Sequence, residues 1–458
     1  MSSPQPPLSY AAVAAADLNN ILGLLNQLPT DDSAVIVKAP PGAGKSTLVR
    51  GVARALEADG LVPIATQTNA QADQLVLQLH AENPTLRVGR LFAGDTPADQ
   101  VAAAAAISGG MLLAANKYGD LVHDGARIIV APAAKWAHIQ TNGPFPWLIV
   151  DECFQMRADM LQRIAPKARR MLLIGDPGQL SPFTVLDTDR WQALPHSPIR
   201  PAMDVLTTNR PGLPEYAMGV SWRLPPSAAG LVADCFYPDV QFIAGSIPAA
   251  RTLTFTRPRI GATVADDALE QAAATGWTYL ELPGRHTARA DSQTAQTIVD
   301  VVITALNRQG TVVSELDHER DGRLLTAADL AVVTTHTAQA NLVLTGLEDA
   351  GVDTSALTIT TANKIQGREF ALTIAWHPLA GRVDATEFHL DPGRMCVMLS
   401  RHRHACVVVG RAGTADILLE HPDNTDLIIG EPEPQVDGVT AHHQVLERLG
   451  GHRTPVAA

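Results

Sequence analysis

Ala39-Pro40-Pro41-Gly42-Ala43-Gly44-Lys45-Ser46 places two glycines, a lysine and a hydroxyl at the spacing a nucleotide phosphate needs. Gly42 and Gly44 let the backbone turn its N–H groups inward, and a helix starting at Lys45 adds its positive end. Lys45 can reach the terminal phosphates and the Ser46 hydroxyl can ligate magnesium; Pro41, Ala43 and Thr47 complete the cradle. Ala39 stands where the stricter pattern has glycine. Further on, Phe145-Pro-Trp-Leu-Ile-Val-Asp151-Glu152-Cys153-Phe154-Gln155 is an apolar run that ends in adjacent carboxylates. Such a pair can simply cap a following helix. Beside a phosphate loop, Asp151 is placed to hold magnesium and Glu152 to orient and deprotonate an attacking water. A third run, Arg169-Arg-Met-Leu-Leu-Ile-Gly175-Asp176-Pro177-Gly178-Gln179-Leu180-Ser181-Pro182, carries a glutamine that could sense a γ-phosphate.

These residues need elements to hold them. Strands are expected at Ala34–Lys38, Val62–Thr66, Arg127–Ala131, Trp147–Asp151 and Arg170–Gly175, with helical stretches between them. That alternation implies an α/β fold with a parallel sheet and helices on both faces. Ligands then sit beyond the carboxyl ends of the strands, where each of these motifs falls. A second set of strands is expected near 278–282, 328–335, 357–361, 371–376 and 405–409.

The three motifs resemble those of superfamily-1 helicases, in which Asp-Glu-x-x-Gln and Gly-Asp-x-x-Gln-Leu-x-Pro are the second and third signatures. The Gln-Leu-x-Pro form resembles the branch that moves 5′ to 3′, the group of the nonsense-mediated-decay RNA helicase and the Okazaki-fragment nuclease-helicase. Four later segments fit the same family, one of them Leu330-Ala-Val-Val-Thr-Thr335-His336-Thr337-Ala-Gln339, which resembles the strand-and-loop motif that opens the second domain's nucleic-acid surface. Val220-Ser-Trp222-Arg223-Leu-Pro-Pro226 resembles the segment whose arginine contacts the γ-phosphate. Thr360-Thr361-Ala-Asn363-Lys364-Ile-Gln366-Gly367-Arg368-Glu369 is similar to the Lys-x-Gln-Gly-x-Glu motif. Ser400-Arg401-His402-Arg403 resembles the sixth motif, with Arg401 on the arginine finger and Arg403 as its nearest rival. The resemblance covers roughly residues 18–412 and implies two tandem RecA-like domains with ATP and magnesium in the interdomain cleft. It assigns nucleotide contacts to Gly367 and Glu369, and catalytic roles to Lys45, Glu152, Gln179, Arg223 and Arg401. The family's adenine-reading glutamine is replaced by Leu22, which leaves base selectivity open; Cys153, Trp222 and Met398 are packing substitutions.

In this family single-stranded nucleic acid lies across the tops of both domains. Gln67-Thr68-Asn69-Ala70 matches a motif that holds phosphates with small polar groups and a helix start, giving Thr68 and Asn69 as candidates. Pro132, Lys135 and Trp136 follow the third strand; Lys135 could meet a phosphate, and Trp136 is either a stacking platform or a core aromatic. Thr335, His336, Thr337, Thr361 and Lys364 are the counterparts in the second domain, and His336 could equally be a strand-end histidine satisfied by a carbonyl.

The 458 residues suffice for two or three domains. With 35 basic against 47 acidic residues the net charge is −12, which argues against broad, non-specific coating of nucleic acid but leaves room for a narrow groove. Four cysteines with no C-x-x-C pair point to a reduced cytoplasm and to no zinc site. Met1 to Tyr10 has no signal-peptide pattern, and the apolar run Val101–Ala115 is too short to span a membrane. The organisation read from these features is a flexible arm (1–15), a first domain (16–210) with a short helical insertion (75–126), a linker around 196–213, a second domain (211–430) and a flexible tail (431–458) that contains one short amphipathic helix. The expected activity is ATP-driven helicase action or 5′-to-3′ translocation by a monomer on a single strand, with DNA the first candidate and the choice between DNA and RNA left open. The alternative is a nucleic-acid-responsive ATPase switch or scaffold that unwinds nothing.

Overall fold

The structure is a computed structural model that describes residues 8–31, 33–94, 96–180, 182, 198–247, 249–257, 263–287, 290–365, 367–420 and 436–456. Residues 1–7 of the expected arm, 196–197 of the linker, Gln366, and 421–435 and 457–458 of the carboxyl-terminal region lie outside them. The chain forms two compact units: one of Tyr10–Pro177 with Ser181–Met218, the other of Gly219–Ala458 with Gly178–Leu180 and Met1–Ser9.

The first unit contains β1 (Ser33–Lys38), β2 (Val62–Thr66), β3 (Val88–Leu91), β4 (Leu112–Ala115), β5 (Ile128–Pro132), β6 (Phe145–Asp151), β7 (Ala168–Gly175) and β8 (Glu215–Ala217), in one parallel sheet ordered β4-β3-β5-β2-β6-β7-β1-β8. Its central strands β1, β2, β5 and β6 read as nearly continuous apolar runs because both faces are covered. Along β1, Val35 and Val37 face a core that holds Val49 and Val52, while Ala34 and Ile36 face the opposite core with Trp136 and Val150. Helix α1 (Tyr10–Gln27) buries Ile21 and Leu25, and α2 (Lys45–Leu56) buries Leu48, Val49, Val52, Ala53 and Leu56. Both put an apolar stripe on the sheet.

Several expectations need correcting. Residues 10–15, read as part of a loose arm, open α1. The 75–126 stretch is not simply helical: it supplies β3 and β4, which extend the sheet at one edge. Both strands are four residues long, and Leu112-Leu-Ala-Ala115 sits in an alanine-rich region with a helical pattern, so neither left a period-2 signal. The linker segment holds the helix Ala202–Asn209.

The second unit contains β9 (Val220–Ser221), β10 (Ile243–Ala244), β11 (Thr252–Phe255), β12 (Trp277–Leu282), β13 (Gly310–Val313), β14 (Arg323–Leu324), β15 (Leu330–Thr334), β16 (Thr358–Thr361), β17 (Phe370–Trp376), β18 (His402–Arg411) and β19 (Arg453–Pro455). Its main sheet is parallel, in the order β16-β15-β17-β18-β12-β19. All five strands expected here are present, so the tandem parallel α/β architecture is borne out. The short amphipathic helix expected in the carboxyl-terminal stretch is present at Gly438–Gly450, where it buries Val445 and Leu449; the edge strand β19 in the same stretch was not expected.

A buried ion pair closes this unit. Arg411, at the end of β18, donates through Nε and Nη2 to Asp291 at 2.7 and 3.1 Å, and through Nη1 to the Pro283 carbonyl at 2.7 Å. Asp291 also caps the helix Ser292–Asn307. Burial alone would raise the Asp291 carboxyl's pKa, but hydrogen bonds from Arg411 and Thr294 outweigh it and hold it below the usual value. Asp291→Ala strands a buried guanidinium and removes the cap, so the second unit should lose about 3–5 kcal/mol, read from urea unfolding. The sign with pH follows from the lowered pKa. The carboxylate's contribution is complete above the unfolded value near 4 and is lost as pH falls through the folded one, so the variant's acid-unfolding curve should be flatter than the wild type's.

Candidate nucleotide site and nucleic-acid face

The phosphate loop joins β1 to α2 with Gly42 at φ 72° and Gly44 at φ 90°, a left-handed conformation that side chains resist. Gly44 is the residue before the first turn of α2, so the free N–H groups of that turn converge on the loop. The Ala39 N–H donates to the Gly175 carbonyl at 2.8 Å and the Ala43 N–H to the Pro40 carbonyl at 3.1 Å. Ala39 is buried there, so its methyl costs the loop nothing.

Lys45 emerges from α2 and meets both carboxylates at the end of β6: its Nζ lies 3.8 Å from Asp151 Oδ1 and pairs directly with Glu152 Oε1. Burial would lower the pKa of this ammonium, but Glu152 and Asp151, with Asp176 further off, outweigh it and raise it above the ordinary lysine value. Burial pushes the Asp151 carboxyl up to about 6, opposed by Lys45 and reinforced by Glu152. Glu152 sits in the left-handed region (φ 59°, ψ 43°), and its N–H donates to Asp151 Oδ1 at 3.0 Å. Gln155, the last residue of the Asp-Glu-x-x-Gln segment, donates its side-chain amide to Glu152 Oε2 at 3.4 Å and its N–H to the Glu152 carbonyl at 3.0 Å. This set can hold anionic oxygens, a divalent cation and a polarised water within one pocket of charge.

A cavity of about 290 Å³ runs from Gly44 and Thr47 along the groove between α1 and α2, past Ala14, Leu18 and Asn83. Tyr10 Oη lies 2.8 Å from Thr47 Oγ1 at its mouth. Leu22 packs against the core and offers no polar group.

The second unit gathers its own motif residues. Arg223 Nε donates to Glu369 Oε2 at 3.1 Å, and its Nη1 lies 3.4 Å from the Ser400 carbonyl. Gly367 is at φ 79°. Arg401 is fully buried and its Nε donates to the Val397 carbonyl at 3.1 Å. Arg403 is committed elsewhere, donating to Ser314 Oγ at 3.0 Å and Glu319 Oε2 at 2.7 Å. Gln179 belongs to this unit, where Gly393 lets it pass: a Cβ on Gly393 would come 2.6 Å from the Gln179 carbonyl oxygen. Arg251, which sequence reasoning missed, supports the cluster by donating to the Trp222 carbonyl at 2.5 Å and to the Arg223 carbonyl.

The nucleic-acid candidates divide by exposure. Thr68, Asn69, Thr337 and Lys364 are exposed, and Lys135 is half-buried with its Nζ on the Asn116 carbonyl at 2.8 Å. His336 is half-buried, bonded to His389 Nε2 at 3.0 Å and stacked on Phe388. Pro132, Trp136, Thr335 and Thr361 are buried, which removes their side chains from any strand laid over the surface. Trp136 is the core aromatic of the two alternatives: it is 1% exposed, donates Nε1–H to the Ile64 carbonyl at 2.9 Å, and meets Phe145 and Tyr118 edge-on.

Two domain-family models, each described as an AAA domain, match residues 24–185 and 277–413. No curated protein matches the chain. Among solved structures, the PRRSV helicase is similar at 13% identity and a TM-score of 0.39, covering 87% of this chain and 54% of that one. A complex of Arterivirus nonstructural protein 10 (helicase) with DNA is similar at 13% identity and a TM-score of 0.39, covering 90% and 65%. The chain thus spans between half and two thirds of the length of those proteins. The two matches fall one on each parallel-sheet unit, the first spanning the phosphate loop and the Asp151-Glu152 pair, so the chain carries paired AAA-type domains.

Gly175 carries a sharp test of this geometry. A Cβ there would stand 2.9 Å from the Cys153 amide nitrogen and 3.1 Å from that of Phe154, in the turn that follows Glu152. Gly175→Ala should therefore cost about 1–3 kcal/mol in thermal or urea unfolding. Gly23→Ala, in the middle of α1 with open space at its Cβ, should stabilise by about 0.5–1 kcal/mol.

Proposed function

We propose that this chain is an ATP-dependent helicase or single-strand translocase moving 5′ to 3′, driven by closure of its two units on the nucleotide. The contact of Lys45 with both Asp151 and Glu152 at the mouth of the phosphate loop carries this reading. Ser46 in the first turn of α2 and the buried Asp151 carboxylate form an oxygen pair of the kind magnesium takes, so the residues fit that ion. Magnesium, when bound, supplies charge neutralisation at the β- and γ-phosphate oxygens. Lys45 turns from the carboxylates to those oxygens, which releases Glu152 to accept a proton from the attacking water. Gln155 keeps the freed carboxylate oriented. Gln179 and Arg223 sense the γ-phosphate, and Arg401 stabilises the charge that develops during transfer. Thr68, Asn69, Lys135, His336, Thr337 and Lys364 hold the single strand, DNA being the first candidate to test. Alternating grips on the two units turn closure into a step.

The first test is ATP hydrolysis with and without matched DNA and RNA oligomers. Stimulation by a single strand, followed by opening of a duplex with a 5′ tail in preference to a 3′ tail, is the expected outcome. Stimulation without strand movement would support the switch reading instead, and a 3′ preference would reverse the direction.

Two substitutions separate binding from chemistry. Lys45→Ala should abolish hydrolysis and weaken ATP binding. Glu152→Gln should keep ATP bound in equilibrium titration while turnover falls by about 10²–10⁴. Equal loss of binding in both would contradict these roles.

The two arginines of the sixth motif should part company. Arg401→Ala is expected to cut turnover by about 10³ or more with nucleotide-free strand binding intact. Arg403→Ala should instead cost about 1.5–3 kcal/mol of stability, because it strips charged hydrogen bonds from the buried Glu319. Loss of turnover in Arg403→Ala with full activity in Arg401→Ala would move the finger to Arg403.

A further inference from the structure

The turn after β2 and the turn after β6 are neighbours because the two strands pair in the sheet. The first carries the exposed nucleic-acid candidates Thr68 and Asn69; the second carries Glu152. One side chain joins them: Gln67 Nε2–H donates to the Glu152 carbonyl oxygen at 3.2 Å, across 85 residues of sequence.

Both ends of this link are fixed. On the Thr68 side, Thr68 Oγ1 accepts from the Gln71 N–H at 3.2 Å, and Gln71 Oε1 accepts from the N–H groups of Thr68 and Gln67 at 3.0 and 3.2 Å. Thr66 Oγ1–H donates to the Thr68 carbonyl at 3.0 Å. Beneath, the buried Arg90 donates to Asn69 Oδ1 at 3.0 Å and to Asp73 Oδ1 at 2.6 Å. The first turn of α3 (Asn69–Glu82) thus moves as one piece with residues 66–68. On the other side, Glu152 holds a left-handed backbone that a non-glycine residue adopts only where its surroundings impose it. Its carbonyl has two donors, the Gln155 N–H and the Gln67 amide. The first belongs to the same turn; the second comes from the strand-facing element.

We propose that Gln67 is a positioning residue that couples strand occupancy to water activation. A phosphate held at Thr68 and Asn69 shifts the start of α3, Gln67 carries the shift to the Glu152 peptide, and the Glu152 carboxylate is thereby aimed at the attacking water. The coupling has a physical carrier, one hydrogen bond between two rigid turns. This inference rests on the proposed strand-stimulated hydrolysis.

Gln67→Met keeps the side chain's length and removes the donor. The loss of one neutral hydrogen bond corresponds to about a fivefold fall in the ratio of strand-stimulated to strand-free kcat, with KM for ATP and Kd for a dT oligomer little changed. In an Asn69→Ala background the same substitution should have little further effect on that ratio, since both residues lie on one path. Amide exchange across residues 151–156 should respond to the oligomer in the wild type and not in Gln67→Met, a readout independent of turnover. An equal fall in stimulated and strand-free kcat would reduce Gln67 to a structural residue and overturn the proposal. So would an unchanged ratio in a variant whose wild-type parent is stimulated. A wild type that hydrolyses ATP with no response to any strand would overturn the helicase reading along with this one.

Discussion

The first unit is organised around a buried lysine ammonium that must face two adjacent carboxylates. Consecutive residues of a strand point to opposite faces of the sheet, so Asp151 and Glu152 could not both reach Lys45 from a straight β6. The left-handed turn at Glu152 solves this by bending the chain as the strand ends. That turn needs room, which is why β7 ends in Gly175 with the Cys153 and Phe154 amides against it. The same glycine's carbonyl receives the Ala39 N–H from the phosphate loop. One charge requirement thus fixes a strand end, a turn, a glycine and a loop. Removing the cation would leave two carboxylates beside each other in a poorly solvated site, which is costly, so the ion pairs hold the arrangement together.

The second unit spends its arginines differently. Arg403, Arg411 and Arg308 are structural: each satisfies a buried carboxylate and joins separate elements, Arg308 to Asp266 at 2.7 Å. Arg223 and Arg401 stand apart because their partners include backbone carbonyls of the motif segments themselves. A guanidinium bound to a carbonyl gives up less on turning to a phosphate than one paired with a buried carboxylate. That distinction separates the two guanidiniums bound within motif segments from the three that tie buried carboxylates to the fold.

Much of the site was legible in the chain. The phosphate loop, the Asp-Glu pair and the arginine segments are local, each set by a strand end and the residues that follow it. Trp136 was not resolved by its sequence context, because a tryptophan after a strand looks the same whether its ring faces solvent or core; only the Ile64 carbonyl and the flanking rings decide it. Thr335 and Thr361 likewise end strands at the expected places but turn inward. Arg90 carried no motif signal, and the Gln67-Thr68-Asn69-Ala70 segment gave no sign that Gln67 reaches Glu152, since the partners come from separate elements, α3 for Arg90 and the end of β6 for Gln67.

By itself, the sequence determined the two α/β units, because runs of buried aliphatic residues alternating with amphipathic helices admit few other packings. It also placed glycine, lysine, serine and paired carboxylates at the spacings that suit a magnesium-bound triphosphate, the chemistry proposed for this chain. The tertiary structure decided the edge strands β3, β4 and β19, whose short segments acquire strand character only by pairing. It decided which arginine of the sixth motif is tied to Glu319. It also decided that β2 lies beside β6, which brings the Gln67-Thr68-Asn69 turn within one side chain's length of Glu152. Neighbourhood in a parallel sheet is set by crossovers between distant segments, and no local pattern records it.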